Sequence, residues 1–204
     1  MTQTLREQFG DIDVYLFDQL LRGRILAGMH VLDAGCGYGR NLVYLLRQGF
    51  DVHGVDADPA GVAAVRALAA ALAPALPASN FQVAAVESMT IPEHSMDVVI
   101  SSAVLHFARD DGHFDAMVNR MWQTLAPGGL LFCRVAASTG IEERIAPLGA
   151  GQYLLPDGST RYLVSEERLI ALTRRLGGRL VDPIKSTIVQ DMRCMATWVV
   201  RAPE

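Results

Sequence analysis

The chain has 204 residues, of which 50% are hydrophobic, 20% are charged and 7% are aromatic. This length accommodates one domain with a well-buried core and an added segment, and it is short for two independent domains. The formal net charge of −4 offers no basic field to a phosphate backbone, so we expect a small-molecule partner and no nucleic acid.

The cysteines and the amino terminus favour a cytoplasmic protein. Cys36, Cys133 and Cys194 form no CxxC pair and have no metal-ligand spacing, as expected in a reducing compartment. Residues 1–10 lack the basic and then apolar pattern of a signal peptide, and no apolar run reaches membrane-spanning length. We therefore expect a cytoplasmic protein that does not associate with a membrane.

Hydrophobic periodicity predicts an amino-terminal helical lead-in, followed by a regular alternation of strands and helices. The lead-in covers residues 5–27, is broken near Gly10 and is closed by Gly28. Strands are predicted over residues 30–33, 51–55, 81–86, 96–101 and 130–136. Helices are predicted over residues 40–48, 59–72 and 112–125. This alternation predicts a parallel, doubly wound sheet.

The alternation ends after residue 136. Residues 137–160 are glycine-rich and lack periodicity, which predicts an irregular segment. A helix is predicted over residues 165–176, and residues 179–186 and 192–200 are strand-like.

The glycine-rich segment Asp33-Ala-Gly-Cys-Gly-Tyr-Gly39 follows the first predicted strand. Glycines at alternate positions remove side chains, so backbone amides can approach a ligand closely. The dinucleotide-binding fingerprint needs its third glycine three positions after the second, whereas here the spacing is two and position 40 is arginine. The acidic Asp33 suits a ligand with an ammonium group better than it suits a pyrophosphate.

This segment is also the first of several motifs that resemble one family. Its acidic-x-Gly-x-Gly-x-Gly pattern at the end of a strand resembles the first motif of the class I S-adenosylmethionine (SAM) dependent methyltransferases. The resemblance covers about residues 29–136 and continues, in the order of the family, through Val55-Asp56-Ala-Asp-Pro59, Ile91-Pro-Glu-His-Ser-Met-Asp97, Val104-Leu-His106 and Leu125-Ala-Pro-Gly-Gly-Leu130.

The resemblance implies a Rossmann-like α/β fold with a doubly wound, mixed sheet of seven strands. Residues 179–186 and 192–200 would form its carboxyl-terminal antiparallel hairpin. The single domain would comprise a helical lead-in and candidate lid at residues 1–28, a SAM-binding core at 29–136, and an acceptor-side insertion with the last two strands at 137–204. The implied activity is methyl transfer from SAM to a small-molecule acceptor, with S-adenosylhomocysteine as the product.

The resemblance also implies which residues bind the cofactor. Asp33 would lie near the methionine amino group, with Gly35 and Gly37 in the loop beneath the methionine part. Arg40 would begin a helix whose free amides face the ligand carboxylate. Asp56 would accept hydrogen bonds from both ribose hydroxyls, because a carboxylate presents two acceptors to the diol.

The adenine end departs from the family pattern. Ala57 would lie beside the adenine, but Ala85 stands where relatives often have an acid. Val86, Glu87 or Ser88 is left to make that contact, and we take Glu87 as the candidate.

Two residues near the fourth strand are candidates for the reacting end of the site. The resemblance implies that Ser101 and Ser102, at the end of the fourth strand, line the space near the methionine part and the transferred methyl group, and we take Ser101 as the candidate. His106 is a candidate general base because its near-neutral pKa suits proton removal from a hydroxyl, although packing or capping is an equal alternative. In-line methyl transfer can proceed by alignment alone, so a base is optional. No histidine has metal-ligand spacing with nearby acids, and no metal is expected.

The acceptor side is open to several interpretations. Tyr15 and Phe17 of the lead-in are either a lid over the acceptor or ordinary packing residues. If two of Arg134, Arg144 and Arg161 converge on the cleft, they favour an anionic acceptor such as a carboxylate; otherwise they are solvated surface charges.

Two alternative functions stand beside methyl transfer. A SAM-binding regulatory or scaffold protein without transferase activity would keep Asp33 and Asp56 but would lack an acceptor cavity. A nicotinamide-dependent reductase is disfavoured by the glycine spacing.

Overall fold

The computed structural model describes residues 4–204. Its helices are α1 Leu5–Phe9, α2 Val14–Leu21, α3 Val43–Arg47, α4 Pro59–Leu72, α5 Asp111–Thr124 and α6 Glu166–Arg175. Its strands are β1 His30–Ala34, β2 Asp51–Asp56, β3 Phe81–Val83, β4 Met96–Ser102, β5 Leu125–Ala137, β6 Ala146–Gly149, β7 Gln152–Leu154, β8 Thr160–Tyr162, β9 Arg179–Leu180, β10 Lys185–Val189 and β11 Arg193–Arg201. Within residues 4–204, no helix combines the length and the apolar character needed to cross a bilayer.

The main sheet has the strand order β10-β11-β5-β4-β1-β2-β3, and the two-residue β9 also pairs with β11. Strands β3, β2, β1, β4 and β5 are parallel, whereas β11 runs antiparallel to both β5 and β10. This confirms the Rossmann-like, mixed sheet with its carboxyl-terminal hairpin. The strand order reverses at β1, and ligands of such sheets bind outside the carboxyl ends of the strands at this point.

Helices cover both faces of the sheet, so the central strands consist of continuous apolar runs instead of alternating ones. Val98, Val99 and Ile100 of β4 are all fully buried. One hydrophobic cluster packs α5 and α6 on one face, and a second packs α2, α3 and α4 on the other.

Two of the predicted helices are shorter than expected. The lead-in over residues 5–27 is two helices, α1 and α2, separated at Gly10, and α2 ends at Leu21, well before Gly28. The helix predicted over residues 40–48 is reduced to α3. Residues 36–42 form successive tight turns instead, in which the Gly39 amide donates to Cys36 O and the Leu42 amide donates to Gly39 O. Residues 1–3 of the predicted lead-in lie outside the described residues.

The segment predicted as irregular, residues 137–160, contains most of a three-stranded antiparallel sheet of β6, β7 and β8. Gly149, Ala150 and Gly151 have positive φ angles, which allow the sharp reversal between β6 and β7. The strand predicted over residues 179–186 is broken into β9 and β10, because Pro183 between them has no amide to donate to a ladder.

Strand boundaries also differ near the site. The strand predicted over residues 81–86 ends at Val83, and residues 86–88 form a single 3-10 turn. The Ala84 amide still donates to the carbonyl of Asp56, which holds this turn against the end of β2. The strand predicted over residues 130–136 begins earlier, at Leu125.

We predict that the hydroxyl of Thr173 stabilises the packing of α6 on β11. This hydroxyl accepts from Trp198 Nε1 and donates to Leu169 O, both at 2.8 Å, in a fully buried setting. Thr173→Val keeps the volume but leaves the indole N–H unsatisfied, which costs about 1–3 kcal/mol. Thr173→Ser keeps the hydroxyl and should lose less. Urea unfolding measures both, and equal stability of the valine variant and the parent would contradict the prediction.

Candidate functional site

The loop of residues 35–39 connects β1 to the turns before α3 and is tied to the end of β2. The amides of Gly35 and Cys36 donate to Val55 O at 2.7 and 3.0 Å. Gly35, Gly37 and Gly39 have φ angles of +89°, +49° and +81°, in the left-handed region that favours glycine. The loop therefore turns sharply at the strand end, as the glycine spacing predicts.

Two glycines of the loop have different surroundings: Gly35 is closely packed, and Gly37 is open. A Cβ atom at Gly35 would lie 2.2 Å from Val104 Cγ2, so the loop and the segment after β4 are in direct contact there. A Cβ atom at Gly37 would meet no atom within 4 Å. Gly37 therefore faces open space and forms part of the wall of a cavity.

This donor cavity, as we name it, has a volume of about 680 Å³ and lies at the carboxyl ends of the central strands. Its wall is formed by the glycine loop, by the residues after β2, β3 and β4, and by one side of α5. Its volume is in the range of pockets that bind small molecules. Gly35, Gly37, Arg40, Asp56, Ala57 and Glu87 of the predicted cofactor residues all line it.

Asp56 ends β2 and faces the donor cavity. Its Oδ2 accepts from the Gly37 amide at 2.7 Å, and its Oδ1 accepts from the Asp58 amide at 2.9 Å. Each carboxylate oxygen has a further lone pair, so Asp56 can still accept two hydrogen bonds from a diol. The two backbone contacts fix the carboxylate at the mouth of the loop.

Asp33 lies behind the loop and is 1% exposed. Neither of its carboxyl oxygens has a hydrogen-bond partner among residues 4–204, and the nearby Asn41 amide does not reach hydrogen-bond geometry. Burial raises the pKa of Asp33 to about 7; the charge of Arg40 opposes this shift and that of Asp56 adds to it. An unpartnered buried acid at this position is complementary to a cationic group.

Glu87 lines the cavity through the turn that follows Ala85, and it is engaged by His113 of α5. The Glu87 Oε1 to His113 Nε2 distance is 2.9 Å. His113 Nδ1 accepts from the Arg109 amide at 3.0 Å, so Nε2 carries the proton and donates to Glu87. Glu87 and His113 therefore form a fixed pair beside Ala85, where the family acid is missing.

Ser101 and Arg40 are not placed as the sequence suggested. Ser101 is fully buried and does not line the donor cavity. The next residue, Ser102, does line it, because successive strand residues point to opposite faces. Arg40 does not begin a helix. Its Nη2 donates to Ser102 Oγ at 2.7 Å across the floor between the loop and β4.

An acceptor cavity of about 420 Å³, as we name it, adjoins the donor cavity. Arg40, Ser102 and Ala103 line both. Ala103 has a φ angle of +67°, a strained conformation for a residue with a Cβ, and its amide donates to Arg134 O at 2.8 Å. Backbone strain of this kind is concentrated at functional sites.

His106 lines the acceptor cavity and not the donor cavity. It is 8% exposed, and its Nδ1 has no hydrogen-bond partner among the described residues. Burial lowers the pKa of His106 to about 4, with the charge of Arg161 acting in the same direction. The imidazole is therefore neutral at pH 7 and is a poor general base in the free protein.

Three expectations for the acceptor side have different outcomes. Arg134 and Arg161 both line the acceptor cavity, whereas Arg144 is 64% exposed and lies 4.0 Å from Asp191. Tyr15 lies against Arg134, with 4.6 Å between the Arg134 guanidinium carbon and the centroid of the Tyr15 ring. Phe17 packs edge-on against Phe9, so it is a packing residue.

Several lining residues were not found from the sequence. In the donor cavity they are Phe107, Arg109, His113 and Met117, and in the acceptor cavity Asp13 and Arg193. His113 stands in an Asp-Asp-Gly-His run that is typical of a solvated helix start, and only the turn carrying Glu87 brings it to the site. Among residues 4–204, no three His, Cys, Asp or Glu side chains are grouped as a metal site.

The donor cavity fits a nucleoside with a cationic amino-acid tail. Asp56 supplies two acceptors for a ribose diol. Asp33 does not itself line the cavity; it is an acid directly behind the glycine loop, with no hydrogen-bond partner among residues 4–204. Gly37 leaves the space that a ligand in contact with the loop requires. SAM has all three matching features.

Comparison with known proteins finds methyltransferases. A family model described as a methyltransferase domain matches residues 31–129. The chain is 29% identical over 164 residues to a ubiquinone biosynthesis O-methyltransferase of Brucella anthropi, in an alignment that covers 78% of this chain and 64% of that protein. The chain thus spans less than two thirds of the length of this relative.

Solved structures share the fold at low identity. A 1,6-didemethyltoxoflavin N1-methyltransferase of Burkholderia thailandensis, with its bound substrate and S-adenosylhomocysteine, has a TM-score of 0.69 and 21% identity, covering 93% of this chain and 76% of that chain. A cyclase has a TM-score of 0.72 and 16% identity, covering 93% of this chain and 81% of that chain. These likenesses show the fold, and the chemistry rests on the residues of the site.

We predict that Gly35→Ala lowers stability and SAM affinity together. The new Cβ would lie 2.2 Å from Val104 Cγ2, and alanine is strained at φ +89°. Gly23→Ala is the matched control, because it has φ +65° but meets no atom within 4 Å. The control should lose about 1–2 kcal/mol from strain alone and bind SAM normally. Thermal unfolding and calorimetry measure both, and wild-type SAM affinity in Gly35→Ala would contradict the prediction.

Proposed function

We propose that the chain is a class I SAM-dependent methyltransferase and that it transfers a methyl group from SAM to a small-molecule acceptor. Asp33 would bind the ammonium group of the methionine part, and Asp56 the ribose hydroxyls. Glu87 and Ala57 would lie at the adenine end, with the Glu87–His113 pair in place of the family acid. Gly35, Gly37 and Arg40 would bound the methionine part.

The observation that carries this proposal is the meeting of the donor and acceptor cavities. Arg40, Ser102 and Ala103 line both cavities, so molecules bound in the two can touch at the end of β4. A protein that only senses SAM needs no second cavity at this place. The second cavity therefore favours transfer over a regulatory or scaffold function.

Alignment and exclusion of water are the main contributions available to this site. When bound, SAM supplies a methyl carbon on a sulfonium; the acceptor lone pair bonds to that carbon as the carbon–sulfur bond breaks, leaving the electron pair on sulfur. Ser102 and Arg40 hold the boundary between the cavities through their 2.7 Å hydrogen bond. His106, which lines the acceptor cavity, is neutral at pH 7.

The acceptor atom is the finer part of the proposal. The name of the Brucella relative specifies an oxygen acceptor, and that of the Burkholderia structure specifies a nitrogen. Oxygen is the first class to test, because the relative shares more identity with the chain than the structure does. An acceptor screen that follows release of S-adenosylhomocysteine distinguishes the two.

Calorimetry tests the donor half of this proposal. SAM and S-adenosylhomocysteine should bind the wild type, and Asp56→Ala should weaken binding roughly 100-fold through the loss of two charge-assisted hydrogen bonds. Asp56→Asn, which keeps one carbonyl oxygen, should be intermediate. Asp11→Ala is the control, because Asp11 is exposed and pairs only with Arg6 among the described residues. Failure of the wild type to bind either ligand at millimolar concentration would refute the proposal.

A further inference from the structure

The charged side chains of the acceptor cavity are mainly cationic. They are Asp13, Arg40, Arg134, Asp157, Arg161 and Arg193. Four arginines and two aspartates give the wall a net charge of +2, whereas the whole chain has a formal net charge of −4. The cavity therefore concentrates positive charge that the rest of the surface does not share.

Arg134 of β5 is held in place, and its nearest carboxylate is the long contact of 3.9 Å between its Nε and Asp13 Oδ2. Its side chain is 12% exposed, and its Nε is buried without a hydrogen-bond partner among residues 4–204. Its guanidinium lies 4.6 Å from the centroid of the Tyr15 ring, and Tyr15 is fixed by a 2.8 Å hydrogen bond between its hydroxyl and Thr187 Oγ1. The planar guanidinium is thus oriented in advance for a ligand.

Arg161 of β8 and Arg193 at the start of β11 line the same cavity. The Arg161 guanidinium lies 5.1 Å from the centroid of the Phe107 ring, and its Nη1 donates to Thr160 O at 2.7 Å. Within the described part of the chain, neither arginine has a carboxylate oxygen within 4.0 Å. Neither cation therefore has a close ion pair, and Asp157 acts on both only at longer range.

Neither aspartate of the wall is hydrogen-bonded to these arginines among the described residues. Asp13 Oδ2 is 3.9 Å from both Arg40 Nη2 and Arg134 Nε, and its Oδ1 caps α2 through the Tyr15 amide at 2.9 Å. Asp157 is exposed and accepts from the amide and hydroxyl of Ser159 at 2.9 and 2.6 Å. Their presence lowers the charge of the wall from +4 for the four arginines to a net +2.

Resting on the proposed methyl transfer, we propose that the acceptor is a small carboxylate whose anionic group is bound by Arg134 and Arg161. Arginine presents a fork of N–H donors that matches the two oxygens of a carboxylate, and both guanidinium groups are already oriented by aromatic rings. With its carboxylate there, the acceptor directs its other end towards Ser102 and Ala103, where the donor cavity begins.

The test measures binding of unreactive carboxylates to the complex of the protein with S-adenosylhomocysteine. Benzoate, phenylacetate and phenylpropionate place the anion at increasing distances from the ring, and each is compared with its neutral carboxamide. Phenyl phosphate is the dianionic ligand with which the carboxylates are compared. The variants are Arg134→Gln and Arg161→Gln, with Arg144→Gln as a control because Arg144 is 64% exposed and lines neither cavity.

At least one carboxylate should bind the wild-type complex about tenfold more tightly than its carboxamide. Each cavity variant should lose most of that preference, about tenfold, while Arg144→Gln keeps it. Binding of S-adenosylhomocysteine by each variant verifies that the variant is folded. If Arg134→Gln does not fold, the loss of carboxylate preference is tested with Arg161→Gln alone.

Three results would overturn the inference: no carboxylate binding at millimolar concentration, equal binding of carboxamides, or an equal loss in Arg144→Gln. Stronger binding of phenyl phosphate than of every carboxylate would overturn the choice of a carboxylate. If S-adenosylhomocysteine binds the wild type and no carboxylate does, only this inference fails. If S-adenosylhomocysteine itself does not bind, the proposed function fails.

Discussion

The carboxyl group of Asp33 is buried with no hydrogen-bond partner among residues 4–204, at the point where the strand order reverses. Burial raises its pKa from 3.8 to about 7, so the native state retains a proton that the unfolded chain releases over this pH range. Stability consequently falls as pH rises through this window, by on the order of 4 kcal/mol in total. A cationic ligand beside Asp33 removes this cost, which links the loop, the cavity and cofactor binding.

The donor and acceptor cavities differ in charge in a way that suits the proposed reaction. Asp56 gives the donor cavity an acidic lining, with Asp33 buried behind the glycine loop, whereas Arg134 and Arg161 give the acceptor side cations for an anion. The acceptor wall is built largely from β5, from β11 and from β8 with the loop that connects it to β7. A change in this insertion can therefore alter acceptor choice while the glycine loop and β2 keep the same donor.

Local rules made the donor side predictable, and long-range packing concealed the acceptor side. The glycine spacing and the acid at the end of β2 depend on one turn and one strand end, which the sequence displays directly. At the end of β4, Ser102 and not the predicted Ser101 lines the donor cavity, because neighbouring strand residues point to opposite faces. Arg134 of β5 and Arg161 of β8 line one cavity through the hairpin of β7 and β8, most of which falls in residues 137–160, the segment predicted to be irregular.

The most direct test is whether a cationic ligand stabilises the charged form of the buried Asp33 carboxyl group. Carbon-13 NMR of the labelled carboxyl carbon follows its pH titration with and without S-adenosylhomocysteine. In the free protein the midpoint should lie near pH 7, as burial dictates. In the complex the ligand ammonium should lower the midpoint by about two pKa units, since an opposite charge nearby favours the carboxylate. An unchanged midpoint in the saturated complex, or an ordinary acidic midpoint in the free protein, would contradict this role of Asp33.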